Sequence, residues 1–168
     1  GSYDRERALD IMKDSRIGAF GAMALVLALL AKVSLLALLG AHSLGAALAA
    51  LAGGHVLSRL WPLFIVRWLP HVGDTARSKS KPLADQISRG ALAAAVLWCF
   101  LPLALVYQAQ SAMFLIASIT ASMAAAAWMG RWFARRLQGF TGDCLGATQQ
   151  VGEIGFYLGA ALALGAAR

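Results

Sequence analysis

The stretch from Ile17 to Leu39 constrains the fold most, because its 23 residues are apolar or small apart from Lys32 and Ser34. As a helix it would extend about 35 Å, enough to cross a hydrocarbon core of about 30 Å. Further apolar runs lie at about 44–66, 90–107, 112–129 and 147–167. Only 14% of the 168 residues are charged and the mean hydropathy is +0.66, values that soluble domains rarely reach. We therefore predict an all-α integral membrane protein, a single domain over residues 1–168 with about five transmembrane helices.

The segment at residues 1–16 precedes the first span and has a different pattern. Ala8, Leu9 and Met12 share one helical face, and charged residues lie opposite. This pattern is typical of a helix that lies in the membrane interface, so we expect an amphipathic interfacial helix before the first span.

Charge indicates how the spans are oriented. With a cytoplasmic N-terminus, the segment 1–16 and the loops 67–89 and 130–146 face the cytoplasm, and the two opposite turns carry no Lys or Arg. The cytoplasmic segments then hold twelve of the fifteen basic residues: Arg5, Arg7, Lys13, Arg16, Arg67, Arg77, Lys79, Lys81, Arg89, Arg131, Arg135 and Arg136. The positive-inside rule thus accounts for the net charge of +7. We expect the lipid bilayer as a partner and no nucleic acid.

A glycine-rich passage from Gln138 to Glu153 contains two of the eight acidic residues, Asp143 and Glu153. A carboxylate on a glycine-rich turn suits Mg²⁺, which prefers oxygen ligands and often shares them with substrate phosphates. The alternative is that Thr141 or Asp143 caps the following helix. Asp14 and Arg16, at the first membrane boundary, are also open to two interpretations: a polar helix end or part of a site.

Two further charged residues are expected at the same depth in the membrane. Arg59 and Glu153 both fall roughly 10 Å below the inner surface, so we predict that they are neighbours. They form either a structural ion pair or the lining of a polar cavity. Lys32 is expected near the outer face, where it would snorkel outward, and is not assigned to a site. Lys79 and Lys81 belong to a basic tract that either sets topology or gathers phosphates.

Other polar residues give no metal or redox signal. Cys99 and Cys144 are far apart in sequence, and the three histidines have no spacing that suggests metal ligands. No nucleotide-binding or hydrolase motif is found.

Several segments together resemble a known family. They are Leu9-Asp-Ile-Met-Lys-Asp-Ser-Arg-Ile-Gly18, the lysine at 32, the pair Ser58-Arg59, and Gln138-Gly-Phe-Thr-Gly-Asp-Cys-Leu-Gly-Ala147 followed by Gly152-Glu153. In this order and over nearly the whole chain they are similar to the cobalamin synthase family, the adenosylcobinamide-GDP ribazoletransferases. The segment 67–89 matches less.

One family element is absent. The family carries an acidic signature of the form His-x-Asp-Gly-Leu-x-Asp-x-x-Asp-Gly, which should lie just upstream of the amphipathic helix. We therefore expect this chain to be the C-terminal portion of a longer protein, with that N-terminal part as its partner, and to be inactive alone.

The resemblance implies an enzyme of the bacterial or archaeal cytoplasmic membrane with its active face toward the cytoplasm. It would join adenosylcobinamide-GDP to α-ribazole or its 5′-phosphate and release GMP, with Mg²⁺ as cofactor. The implied catalytic residues are Asp143, Asp14 and Glu153, the implied phosphate-binding residues are Arg16, Arg59, Lys79 and Lys81, and the implied metal ligands are Asp143 and Asp14, together with acids upstream of Gly1.

Three alternatives stay open at this point: a small transporter or channel subunit, an enzyme like the CDP-alcohol phosphotransferases, and a purely structural membrane subunit. The small residues on the first and fourth spans would also allow a homo-oligomer to form.

Overall fold

The computed structural model describes residues 4–14, 16–73 and 87–166. These contain six α-helices, which confirms the all-α prediction. In chain order they are α1 Arg5–Lys13, α2 Ala19–His42, α3 Leu44–Trp68, α4 Arg89–Ala109, α5 Ala112–Arg136 and α6 Gly142–Ala166.

Helix α1 is short and amphipathic, as predicted. The Asp4 carboxylate caps it by accepting a hydrogen bond from the backbone N–H of Arg7 at 3.1 Å. Its apolar face, Ala8, Leu9 and Met12, packs against a buried cluster formed by Ile65, Val66, Met129, Phe133, Leu137, Phe140 and Cys144. Helix α1 therefore lies across the ends of α3, α5 and α6, and we call this end of the bundle the α1 end.

Four helices, α2 to α5, are long and apolar enough to cross a membrane. Helix α6 has 25 residues but is not one of the four, since Gln149, Gln150 and Glu153 lower its hydropathy. It is instead the central helix of the bundle and has ten buried residues, whereas α2 has only Leu39. The exposed apolar side chains of α2 and α4, such as Phe20 and Trp98, suit contact with lipid.

The connection between α5 and α6 is shorter than predicted. Helix α5 continues to Arg136 and α6 begins at Gly142, so the connection is residues 137–141 rather than 130–146. A short turn suffices because Gln138 takes φ 56° and Phe140 pairs with residues 70 and 72 through two backbone hydrogen bonds of 2.9 Å. A Cβ at Gly139 would overlap the carbonyl oxygen of Pro70, so this close pairing requires glycine. The arginines near residue 131 thus extend a helix instead of forming a loop.

Close packing against α6 holds the bundle together. On α3, Gly53 and Gly54 lie directly against the rings of Phe156 and Tyr157, where a Cβ on Gly54 would come within 2.7 Å of Tyr157 Cε1. On α5, the hydroxyl of Ser122 donates to the Gly152 carbonyl at 2.7 Å. Helices α3 and α5 therefore both pack against α6, and the Trp61 indole N–H on α3 also donates to the Ser122 hydroxyl on α5 at 2.8 Å. These contacts fix the direction of the polar residues of α6.

Candidate functional site

Glu153 is the centre of a polar cluster inside the bundle. Its side chain is 7% exposed, and its carboxylate accepts hydrogen bonds from Lys32 Nζ at 2.9 Å and from the Tyr157 hydroxyl at 2.5 Å. Lys32 Nζ also donates to Gln150 Oε1 at 2.6 Å, and His55 Nδ1 lies 3.6 Å from Glu153 Oε1. These five residues, which we call the polar cluster, join α2, α3 and α6.

The local sequence explains why the cluster forms. Tyr157 follows Glu153 by one helical turn, so both point from the same face of α6. Tyr157 is fully buried against Gly54, which leaves its hydroxyl aimed along α6 at the carboxylate. A carboxylate among apolar helices is costly unless it is neutralised and hydrogen-bonded, and the ammonium of Lys32 supplies the opposite charge.

The placement of Lys32 corrects the prediction made from sequence. We expected Lys32 to snorkel outward and Arg59 to be the neighbour of Glu153, but Lys32 is the residue that pairs with Glu153. Lys32 lies 13 residues after the start of α2 and Glu153 lies 11 residues after the start of α6, so both are about 16–20 Å from the α1 end. Helix α2 continues to His42, three residues beyond the predicted end of the span at Leu39. Lys32 therefore lies near the middle of the helix and not near the outer face.

Arg59 is separate from the ion pair. It is exposed, and its Nη1 donates to the carbonyl oxygen of His55 at 2.8 Å. It lies nine residues before the end of α3, about 13 Å from the α1 end. His55, regarded as incidental in the sequence, thus lies between Arg59 and Glu153.

At the α1 end, Asp14 and Arg16 bind each other. The Asp14 carboxylate accepts hydrogen bonds from Arg16 Nη2 at 2.7 Å, from Nε at 3.0 Å and from the backbone N–H at 3.0 Å. The Arg16 guanidinium therefore holds the pKa of the Asp14 carboxyl below its usual range. Both side chains are exposed, so the pair is accessible from outside the bundle.

Asp143 lies in the first turn of α6 and is exposed. Thr141 is the residue directly before α6, so Thr141 and not Asp143 occupies the capping position. The Thr141 hydroxyl donates a hydrogen bond to Cys144 Sγ at 3.4 Å. Within the residues that the structure describes, the Asp143 carboxylate has no hydrogen-bond or ion-pair partner.

The predicted residues therefore fall into two layers. Asp14, Arg16 and Asp143 lie at the α1 end, and Arg59 and Glu153 lie about 13–16 Å deeper. Across residues 4–14, 16–73 and 87–166, no three acidic, histidine or cysteine side chains come together to hold a metal ion. Lys79 and Lys81 are outside the described residues.

A separate apolar groove of about 620 Å³ runs between α3 and α5 near the α1 end. Trp61, Phe64 and Trp68 form one wall, and Arg131 is its charged lining residue. By helical periodicity this wall is on the opposite side of α3 from His55 and Arg59. Of the site residues predicted from sequence, none that the structure describes lines the groove.

Comparison with known proteins gives the family. The family model for cobalamin-5-phosphate synthase (CobS) matches residues 1–161 of this chain. The chain belongs to the cobalamin-5-phosphate synthase family. This confirms the resemblance found in the motifs around Asp14, Arg59 and Asp143.

Three relatives are named adenosylcobinamide-GDP ribazoletransferase. The chain is 61% identical to the protein of Albidiferax ferrireducens, 59% identical to that of Polaromonas sp. strain JS666 and 61% identical to that of Polaromonas naphthalenivorans. Each comparison covers 98% of this chain but only 64%, 63% and 63% of the respective relative. The chain therefore spans less than two thirds of the length of these relatives. No solved structure matches it.

Proposed function

We propose that the protein acts as an adenosylcobinamide-GDP ribazoletransferase. A hydroxyl oxygen of α-ribazole, or of its 5′-phosphate, attacks the phosphorus linked to cobinamide. A new phosphorus–oxygen bond forms, the bond from that phosphorus to the bridging diphosphate oxygen breaks, and GMP leaves with the bonding electrons. The hydroxyl proton passes to a base or to water.

The observation that carries this proposal is the family match over residues 1–161. High identity to relatives bearing the transferase name supports the same activity. The exposed carboxylate of Asp143, which has no partner among the described residues, and the exposed guanidinium of Arg16 both lie at the α1 end. They add chemical groups that phosphoryl transfer uses.

Asp143 is proposed as a ligand of Mg²⁺. Its free oxygens fit that role, whereas the Asp14 carboxylate is held by Arg16 and would have to exchange that partner for the metal. Further oxygen ligands would come from outside the described residues. Bound Mg²⁺ would neutralise the leaving diphosphate oxygens.

The cationic residues would receive the substrate. Released from Asp14, the Arg16 guanidinium could hold a phosphate by bidentate hydrogen bonds. We propose that Lys79 and Lys81 attract the nucleotide by charge. Glu153 lies too deep to reach a metal at Asp143 and is proposed to act within the polar cluster by holding Lys32.

The basic residues at the α1 end favour a cytoplasmic active face. Arg5, Arg7, Arg131 and Arg135 lie near this end, which the positive-inside rule assigns to the cytoplasm.

The activity is tested with the full-length protein in lipid vesicles. Release of GMP should require adenosylcobinamide-GDP, α-ribazole and Mg²⁺ together, and omission of α-ribazole should abolish it. A transporter or a structural subunit would release no GMP, and GMP formation without α-ribazole would indicate simple hydrolysis; either result would contradict the proposal.

A further inference from the structure

Three charged side chains in the described helices lie more than two turns from a helix end: Lys32, Arg59 and Glu153. All three are on α2, α3 and α6. Together with His55 and Gln150 they form a surface that we call the intramembrane polar face. On α4, by contrast, the exposed side chains at similar depth are apolar, such as Leu97.

Arg59 does not snorkel toward the nearer membrane surface. Helical side chains tilt toward the helix N-terminus, and Arg59 follows this rule because its guanidinium donates to the His55 carbonyl one turn earlier. The N-terminus of α3 is at the end opposite to α1, so the guanidinium points deeper into the bundle. An exposed arginine at such a depth is stable only when it faces protein or a water-filled cavity.

The net charge of the intramembrane polar face indicates which kind of ligand such a cavity would bind. Lys32 and Glu153 neutralise each other at 2.9 Å, and the Glu153 carboxylate also has the Tyr157 hydroxyl as a donor. Arg59 therefore adds one uncompensated positive charge, and its partner within the described chain is a neutral carbonyl. Next to Glu153, the side chain of His55 is 56% exposed and that of Lys32 is 18% exposed, so both can be reached from outside the described bundle.

We propose that the intramembrane polar face lines a water-filled cleft that binds the phosphate or diphosphate of an anionic ligand, with Arg59 as the direct contact. Lys32 is a positioning residue: Glu153 and Gln150 hold its ammonium beside the cleft. The ligand class rests on the proposed transferase function, whose substrates carry phosphate groups. The cleft is about 12 Å deeper than Asp143 and would hold a different part of a substrate.

Cysteine labelling in the full-length protein tests the cleft. In a variant with Cys99 and Cys144 replaced by alanine, His55→Cys should react with a membrane-impermeant anionic thiol reagent, which the positive charge of the face attracts. Leu101→Cys, at a similar depth on the lipid-facing side of α4, should not react. If His55→Cys is as unreactive as Leu101→Cys, another part of the protein or lipid covers the face and the proposal is wrong.

Protection by inorganic diphosphate tests the anion site. At about ten times its Kd, diphosphate should slow labelling of His55→Cys roughly tenfold, and chloride at equal ionic strength should not. Adding Arg59→Gln should abolish this protection, whereas Arg67→Gln, an exposed arginine on the same helix, should retain it. Labelling without protection would contradict anion binding.

Two further measurements separate anion binding from folding and from activity. Arg59→Lys keeps the positive charge and should retain partial protection by diphosphate. This variant shows whether a loss of protection in Arg59→Gln comes from the lost charge or from disturbed folding. GMP release is measured independently, so protection without GMP release would argue against the proposed function, and GMP release without protection would argue against this cleft.

Discussion

Glu153 is the one charged residue that is buried among the described residues. Its carboxylate is buried and accepts hydrogen bonds from Lys32 and Tyr157. Removing one member of a buried ion pair leaves an uncompensated charge, whereas removing both members is much less costly. The ion pair can therefore be tested by comparing the free energies of unfolding of single and double variants.

We expect Lys32→Met to lower the free energy of unfolding by about 3 kcal/mol, because it leaves Glu153 charged and unneutralised. The double variant Lys32→Met, Glu153→Gln should recover most of that loss. Denaturant unfolding of the full-length protein in detergent measures both values. Additive losses in the double variant would show that the two side chains do not interact.

Asp14 offers a pH-dependent prediction. Its pKa is below the usual value because of Arg16, so the folded state favours the ionised form. The contribution of the pair is complete above the ordinary carboxyl pKa and is lost as pH falls through the lowered pKa. NMR titration of the Asp14 carboxyl carbon should show this low pKa, and Arg16→Gln should raise it. An unchanged pKa in that variant would contradict the pairing.

At the scale of the helices, the five apolar runs correctly predicted five long helices, because a backbone in hydrocarbon must form helix. Four of these helices are apolar enough to cross a membrane, and α6 is not among them. The ends were harder to predict. Arg131 and Arg136 are polar enough to suggest a loop, yet α5 continues through them because a helix at an interface tolerates charge.

The partner of Glu153 was missed for a related reason: a lysine's long side chain reaches several ångströms from its Cα, so depth alone could not choose between Lys32 and Arg59.

The contact between α3 and α6 gives a prediction at this scale. Gly54→Ala should destabilise the protein by about 1–3 kcal/mol, since the new Cβ would meet the Tyr157 ring at 2.7 Å. Gly146→Ala, where a Cβ on α6 would meet nothing within 4 Å, should instead stabilise it by about 0.5–1 kcal/mol. Thermal unfolding of the two variants compares them. Equal stability would contradict the close approach of the two helices.

At the scale of the whole molecule, the two layers of polar residues are the main finding. The sequence suggested one site in which Arg59 and Glu153 lie beside the acidic turn, since all these residues were expected near one membrane surface. The structure separates Asp143 from Arg59 and Glu153 along the bundle. The separation from Glu153 follows from the ten residues between them on α6, about 15 Å of helix, whereas packing between α3 and α6 sets the position of Arg59. Family membership supports the proposal of phosphoryl transfer, which we place at the α1 end as part of that proposal.

Replacing Asp143 tests whether its carboxylate binds Mg²⁺ at the α1 end. In the full-length protein in vesicles, Asp143→Asn should reduce Mg²⁺-dependent GMP release by at least about 100-fold, because loss of a metal ligand removes several kcal/mol of stabilisation from the transition state. Asp10→Asn is the matched control: Asp10 is an exposed acid on α1 whose carboxylate pairs with Lys13, so its loss should leave the rate near that of the wild type. GMP release at the wild-type rate by the Asp143→Asn variant would contradict a metal-binding role for Asp143 in the reaction.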